Sequence, residues 1–541
     1  MTARSLAIAH VASEMGPLIK VGGLADVVGS LAFEQARRGH RVTVVLPAYQ
    51  ALAIPDGWTR RAFRGIEVPW GMSREPAHFD LAEPPGVGPR VLLVGHEGER
   101  GFFDREGVYD DPRTGEGYRD NAERFLFFSR AAIEGLKALG GGVDVLHAHD
   151  HQGAWAVCFV RTHERGSPEF ASTATVFTIH NLGYQGIHDP WVLALAGIGM
   201  DQFQPQGPFE YWGRVNDMKV GLAFADLLTT VSPRYAQEIQ GSAEFGCGLE
   251  GVLSRRSADL RGILNGIDDE EWTPAHDPHI PAHYDPDRLD AKRGNRDALI
   301  AECGFPREPE AALVGMVSRL VEQKGIDLVL QAEPEWLKLD ARLVVLGSGP
   351  VNYQERLRRI AHRRPDRVYY RSGHDERFAH LIEAGADLFL MPSRYEPCGL
   401  NQMYSLRYGT VPVVRAVGGL ADTVEEFDPR SGQGSGFLFQ RYHADEMVAA
   451  LRRALAIHRQ PTLWRTLQRN GMSRDFSWRV SADGYDRAYE EAMERAARRG
   501  EAARGDGRVG ATRAGAAPAG TLAGGVPGSA APDPAGPRGG D

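Results

Sequence analysis

The sequence predicts an α/β fold of two Rossmann-like domains facing each other across a deep cleft. Three observations carry that prediction. Two separate stretches alternate short apolar runs with helical periodicity, the pattern of parallel sheets covered by helices. The length of 541 residues exceeds what one ordinary core holds. A glycine-led octapeptide also occurs twice, as VGGLADVV from Val21 and VGGLADTV from Val417, once in each stretch.

The first stretch opens with a strand at residues 5–12. Leu24, Val27, Val28, Leu31 and Ala32 then recur at helical spacing as far as Gly39. A second strand follows at residues 41–46 and stops at Pro47. Further strands are expected at residues 144–149, 175–180 and 227–231. The second stretch begins near Gly262, with strands at residues 313–317, 343–346, 368–370, 388–391 and 411–414. Residues 277–288, rich in Pro, His and Asp, read as a surface excursion near the junction. Beyond Arg499 the chain turns to Gly, Ala, Pro and Arg, with too few large apolar residues to bury a core, and disorder is expected.

A formal net charge of -9 supplies no basic field for nucleic acid or an anionic membrane surface. No apolar run approaches the roughly 18 residues of a membrane span. The apolar residues 5–11 read as a buried strand rather than a secretion signal, so the cytoplasm is the expected location. The four cysteines, Cys158, Cys247, Cys303 and Cys398, show no CxxC spacing, and neither a zinc site nor a disulfide framework is expected.

Open α/β sheets bind ligands at the C-terminal ends of their strands. Each VGGLAD copy places glycines before a helix, where unpaired backbone N–H groups suit an anion. Lysine is scarce, six in the chain, which singles out sites that need a compact ammonium. Lys20 immediately precedes the first copy. Arg319 and Lys324 follow the expected strand at residues 313–317. Glu396 stands between an apolar strand and a Pro-Cys-Gly turn, held near the cleft. His180 and Asp150 each end an expected strand. His147, His149 and His151 alternate and would share one face of an extended strand. The outer two would then lie roughly 13 Å apart, too far for one ion. No metal site is expected, and no DxD marks a cation site.

These motifs together resemble the bacterial glycogen synthases and plant starch synthases (glycosyltransferase family 5), retaining glucosyltransferases of the two-domain GT-B fold. The landmarks are SEMGPLIKVGGLADV from Ser13, HAHD from His147, TIHNLGYQG from Thr178 and ILNGID from Ile263. They continue as VSRLVEQKG from Val317, PSRYEPCGLNQMYSLRYGT from Pro392, and the second VGGLAD. The resemblance covers about residues 5–490. It implies domains at 1–258 and 259–478, a helix at 479–499 packing back on the first domain, and a tail at 500–541. The implied reaction moves glucose from ADP-glucose to the non-reducing end of an α-1,4-glucan, with ADP-glucose as substrate and no cofactor. A monomer or weak homo-oligomer is expected.

The resemblance also implies roles. Glu396, His180, Lys324, Arg319 and Asp150 would be catalytic. Lys20, Gly22, Gly23, Asn265, His374, Cys398, Gly399, Leu400, Gly418, Gly419 and Leu420 would bind the donor. Glu14, Tyr109 and Asn181 would meet the sugar or acceptor. Three positions depart from the common pattern: His151 where many relatives have Trp, His374 where bacterial relatives often have Tyr, and Ala416-Val417 where others have Arg-Thr. The rival readings are a related enzyme using UDP-glucose or another acceptor, a glucan phosphorylase, and a non-catalytic glucan-binding protein. A phosphorylase needs a cofactor-bearing lysine, and no lysine follows Lys338.

Overall fold

The computed structural model describes residues 4–307 and 311–513. Up to residue 262 the strands are β1 (Ala7–Val11), β2 (Arg41–Pro47), β3 (Thr59–Trp70), β4 (Ser73–Glu83), β5 (Arg90–His96), β6 (Val145–His149), β7 (Ala174–Ile179), the short pair β8 (Ile187–His188) and β9 (Val215–Asn216), β10 (Leu227–Thr230) and β11 (Leu260–Gly262). Nine of them form one sheet in the order β11-β10-β7-β6-β1-β2-β5-β4-β3. It is parallel except at β4, which runs antiparallel to β5 and β3. The second sheet follows with β12 (Ala312–Val317), β13 (Ala341–Leu346), β14 (Val368–Arg371), β15 (Leu388–Met391), β16 (Val411–Arg415) and β17 (Phe437–Phe439). Its order is β14-β13-β12-β15-β16-β17, all parallel.

Most strands that the sequence announces are buried on both faces, although β5, equally buried, goes unannounced and β14, announced, is only half-buried. Every residue of β6 and β7 is buried, so each reads as a continuous apolar run interrupted by histidines or threonines. The strands β3 and β4, absent from the sequence reading, form a long hairpin whose outer part is largely exposed. Its charged residues, Arg60, Arg61, Arg64 and Glu67 among them, hide the strand signal.

Each sheet has a switch point where strand order reverses. In the first it lies between β1 and β6; in the second, between β12 and β15. The loops leaving these four strands carry Glu14 and Lys20, Asp150, Arg319 and Lys324, and Glu396. That is the crevice position where open α/β sheets take their ligands.

Loops of the second sheet are welded together. Arg394 N–H donates to Gln323 O at 2.9 Å, and Asn401 Nδ2 donates to Val317 O at 2.8 Å. Gly325, at φ +76, passes so close to Pro392 that a Cβ would meet its carbonyl oxygen at 2.1 Å. The second VGGLAD copy serves the same join. A Cβ on Gly418 would meet Glu396 O at 1.9 Å, and one on Gly419 would meet Cys398 O at 2.1 Å. In the first copy a Cβ on Gly22 meets nothing within 4 Å, and one on Gly23 meets only Leu400 Cδ1 at 3.7 Å. The same octapeptide thus solves two different problems, a close backbone approach in one copy and an open lip in the other.

Two expectations change. Residues 277–288 run along the surface, with about half of them exposed, but they are anchored in the core. Asp277, Ile280 and Tyr284 are buried, and Tyr284 hydroxyl donates to Tyr408 O at 2.8 Å; Ile280 and Tyr284 pack with Leu289, Ala384, Tyr408 and Met472. Sparse apolar residues anchor a segment whose polar composition masks the anchoring. The final helix, Trp478–Arg513, also runs through residues 500–513, where disorder was expected. The rest of the expected disordered tail, 514–541, lies outside the described residues.

Among the described residues, those up to 496 form one compact unit. Within this unit, Trp478, Ala482, Tyr485, Ala488, Tyr489, Ala492 and Ala496 recur every three or four residues and pack on the first sheet, against Leu6, Ile8, Val27, Leu31, Val145 and Val176. The chain therefore crosses back to its first sheet after completing its second.

The glycine contacts make a direct prediction. Gly419→Ala, driven against the Cys398 backbone, should lower stability by about 3 kcal/mol, whereas Gly22→Ala should change it by less than about 1 kcal/mol. Chemical denaturation of both variants checks this, and equal losses would contradict it.

Candidate active site

At the second switch point Lys324 Nζ donates to both oxygens of Glu396, at 2.8 and 2.6 Å, and Ser393 hydroxyl donates to Glu396 Oε2 at 3.0 Å. Glu396 is buried. Arg319 is exposed and donates to Tyr184 hydroxyl at 3.1 Å, joining a loop of the second sheet to the loop after β7. A cavity of about 140 Å³ opens here, lined by Arg319, Lys324, Ser393, Gly399, Leu400 and Asn401. Gly399 and Leu400 immediately precede the helix Asn401–Arg407, whose first amides have no intrahelical acceptor. A larger cavity of about 450 Å³ lies between residues 261–265 and the final helix. Neither Arg319 nor Lys324 lines it, so the smaller one, which both line, marks the site.

Across from it, Lys20 pairs with Asp26 at 2.7 Å. Burial works against the Lys20 charge, but Asp26, Glu271 and Glu376 outweigh it and raise its pKa. Glu14 is buried and caps the first VGGLAD copy, accepting from Val21 N–H at 2.5 Å and Gly22 N–H at 2.9 Å. Its other oxygen accepts from Tyr109 hydroxyl at 2.5 Å. Burial nevertheless raises the Glu14 pKa.

The second copy qualifies an expectation. Gly418 N–H donates to the carboxylate of Glu238, at 3.2 and 3.0 Å to its two oxygens. Gly419 N–H donates to Glu396 O and Pro397 O, and Leu420 N–H to Val417 O. All three residues are buried. These amides are engaged within the protein in this structure, as the Gly22 amide is by Glu14, so an anion would have to displace those partners.

A chain of buried imidazoles runs beneath the site. His10 Nε2 meets Gln35 Oε1 at 2.8 Å, His10 Nδ1 meets His149 Nε2 at 3.0 Å, and His149 Nδ1 meets His180 Nε2 at 2.9 Å. Gln35 Nε2 donates to Tyr489 hydroxyl at 2.9 Å, which leaves its carbonyl oxygen to face His10. That oxygen can only accept, so His10 donates through Nε2 and accepts at Nδ1. Burial lowers the His10 pKa to about 4, the His149 pKa well below its usual value and the His180 pKa to about 3, keeping every ring neutral. Each ring then has one donor and one acceptor, and the order propagates. His180 is left with Nδ1 as an acceptor, suited to a hydroxyl.

Sequence reasoning found His180 but missed Gln35, His10 and His149 beneath it. The only sequence signal for the two histidines is polar residues on otherwise apolar strands; Gln35, on the helix Gly23–Arg37, gives none. His10, His147 and His149 cluster closely enough to suggest an ion. All six of their ring nitrogens are hydrogen-bonded, those of His147 to Tyr489 hydroxyl and Thr178 Oγ1. His151 leaves the strand face altogether, because Asp150 turns at φ +50 into the helix Asp150–Thr162. The remaining expected residues lie apart. His374 is exposed after β14, and Asn181 Oδ1 accepts from Gly183 N–H at 3.0 Å. Asn265 follows β11 with a buried Oδ1 that has no protein partner; its backbone N–H supports Cys398, whose thiol burial pushes to about 12.

Comparison with known proteins places this geometry. A starch synthase catalytic domain family model matches residues 7–255, and a glycosyl transferases group 1 model matches residues 304–469. A glycogen synthase from Koribacter versatilis is 45% identical over 489 residues, 90% of this chain and 98% of that protein. The chain belongs to the glycogen synthase family. Another glycogen synthase, from Anaeromyxobacter sp., is 46% identical, covering 89% of this chain and 98% of that one. The catalytic domain of starch synthase IV from Arabidopsis thaliana, solved bound to ADP and acarbose, superposes with a TM-score of 0.83 at 34% identity, covering 91% of this chain and all of that one. As a family member the chain is a glycosyltransferase, and its two parallel sheets form the GT-B fold. Among the described residues, no helix is long and apolar enough to cross a membrane.

Asp150 supplies a prediction for this glycogen synthase relative. Its Oδ1 accepts from His180 N–H at 2.7 Å and Asn181 N–H at 3.4 Å. Burial raises its pKa from 3.8 to about 7, against the opposing pull of those amides. A folded-state pKa above the unfolded value means the folded chain holds its proton more tightly, so this contribution to stability is full below pH 3.8 and is lost by about pH 7. Asp150→Asn keeps an acceptor and removes the titration. Its Tm should therefore gain on that of the unmodified chain as pH rises from 4 to about 7; a constant difference would contradict the buried, protonated carboxyl.

Proposed function

We propose that this chain transfers glucose from ADP-glucose to the non-reducing end of an α-1,4-glucan, extending it through an α-1,4 bond with retention of configuration. The observation that carries this reading is Lys324 held on the buried Glu396 beside Arg319 at the second switch point, with Lys20 on the loop that leaves the first. An anion between them takes the place of Asp26 on Lys20 and shares Lys324 with Glu396, so the cations are already in place. The ADP and acarbose in the solved starch synthase IV support the same pair of ligand classes, an adenine nucleotide and an α-glucan mimic.

Breaking the bond from the anomeric carbon to phosphate sends negative charge onto ADP and positive charge onto the sugar. Arg319, Lys324 and Lys20 stabilise the first; preorganised charge of this kind dominates many enzymatic barriers. Glu396 faces the second. Both of its oxygens are held by Lys324, which suits electrostatic support better than attack. In the front-face route, the acceptor 4-hydroxyl oxygen bonds to the anomeric carbon as the phosphate oxygen departs from the same face. The hydroxyl proton passes to that phosphate oxygen, so no separate base is required. His180 Nδ1 accepts from a hydroxyl of the donor sugar and fixes it beside Glu396.

Elongation of a maltooligosaccharide primer, with ADP-glucose and UDP-glucose in parallel, tests the reading. Glucan should lengthen with ADP-glucose as the preferred donor; preference for UDP-glucose, or no elongation, would overturn it. Glu396→Ala should lower turnover by about 10³-fold while ADP still binds, and near-normal turnover would remove its assigned role.

A further inference from the structure

A second constellation lies at the start of the helix that follows β14. The helix Glu376–Gly385 carries Glu376 and His380 four residues apart, one turn of helix, so both project from one face. His279 reaches the same place from the core-anchored surface segment of residues 277–288. One ligand atom from each of the three lies within 4.8 Å of the other two.

The site has a fixed member and two adjustable ones. His380 is 1% exposed, and its ring stacks on Trp272 at 3.8 Å between centroids. Its Nδ1 donates to Asp277 Oδ2 at 2.8 Å, which sets Nε2 as the lone-pair nitrogen. That nitrogen is buried and has no protein partner. Asp277 is itself braced, accepting from Tyr408 hydroxyl at 2.6 Å and from His279 N–H at 2.8 Å. A carboxylate holding the far nitrogen of an imidazole is how metal-ligating histidines are oriented. His279 is half-buried and Glu376 exposed, so both can swing toward the fixed lone pair. Tetrahedral coordination needs ligand atoms about 3.4 Å apart, given bonds of about 2.0–2.1 Å.

We propose that His279, Glu376 and His380 bind one divalent transition-metal ion of the zinc class, with Asp277 positioning His380. Two imidazole nitrogens and one carboxylate favour zinc or cobalt over magnesium and calcium, which prefer oxygen ligands. Three protein ligands leave the fourth position to water. The buried histidine cluster under the cleft does not compete, since its ring nitrogens are hydrogen-bonded. The sequence reading, which weighed the cysteines, the absence of a DxD and the alternating histidines of β6, expected no metal because His279 is far in sequence from Glu376 and His380. The site also borders the cleft lip, where Glu376 contributes to the negative field on Lys20; a bound dication offsets that field.

Full-length protein treated with chelator and then dialysed should take up one equivalent of zinc chloride by calorimetry. Cobalt chloride should give the visible absorption of a four- or five-coordinate site, and magnesium chloride should give no binding. Because His380 packs in the interior, the informative variants are His279→Ala and Glu376→Gln on the surface side. Each should weaken zinc at least about tenfold, and the pair together should abolish the cobalt spectrum, with circular dichroism unchanged. A cobalt spectrum no different from the aqueous ion would overturn the proposal. So would zinc binding that survives in the double variant. Neither readout depends on glucan synthesis, so failure here leaves the proposed reaction standing.

Discussion

The ion pair between Lys324 and Glu396 is the constraint on which the candidate site depends. It joins the loop after β12 to the loop after β15, the two strands flanking the switch point. Removing one partner of a buried pair costs about 3–5 kcal/mol, because the other charge is left unpaired. Here the pair sits among backbone contacts that leave little slack: Gly325 against Pro392, Arg394 on Gln323, and Gly418 and Gly419 against residues 396–398. The carboxylate is thereby fixed where the chemistry needs it, while the ammonium retains one face toward a cavity. An arriving phosphate shares Lys324 with Glu396 instead of ordering it from solvent.

A second ordered layer lies under the first sheet's half of the site. Tyr489, from the helix that crosses back to that sheet, holds Gln35. Gln35 sets the polarity of the His10–His149–His180 chain. A fully satisfied polar network of this kind specifies one arrangement in a core that otherwise packs only by shape. It also gives the final helix a part in the site without a residue in the cleft. Carboxylates play the corresponding role at the loop amides, with Glu14 on Val21 and Gly22 and Glu238 on Gly418.

Much of the fold was legible because parallel strands buried on both faces leave continuous apolar runs, and the strand ends carried most of the chemistry. The hairpin of β3 and β4 was not, since its solvent-facing charges break the alternation. The candidate residues were legible where motif and topology agree, as at Lys20, Arg319, Lys324 and Glu396. They were misleading where a motif implied a role for backbone groups. VGGLAD reads identically at both ends of the chain, yet only packing shows that one pair of glycines lies open and the other is closed by the backbone around Glu396. Residues acting at long sequence separation stayed hidden: nothing local to Gln35, Glu238 or Asp277 announces Tyr489, Gly418 or His380, each more than a hundred residues from its partner.

The account's central claim is that the donor's diphosphate lies between the two switch points. A crystal structure of the chain with ADP tests it most directly. The account predicts phosphate oxygens within hydrogen-bond distance of Lys324, Arg319 and the amides of Gly399 and Leu400, with Lys20 facing them across the cleft. ADP seated instead in the larger cavity beside Arg261 and Arg487, with Lys324 still wholly engaged by Glu396, would contradict it.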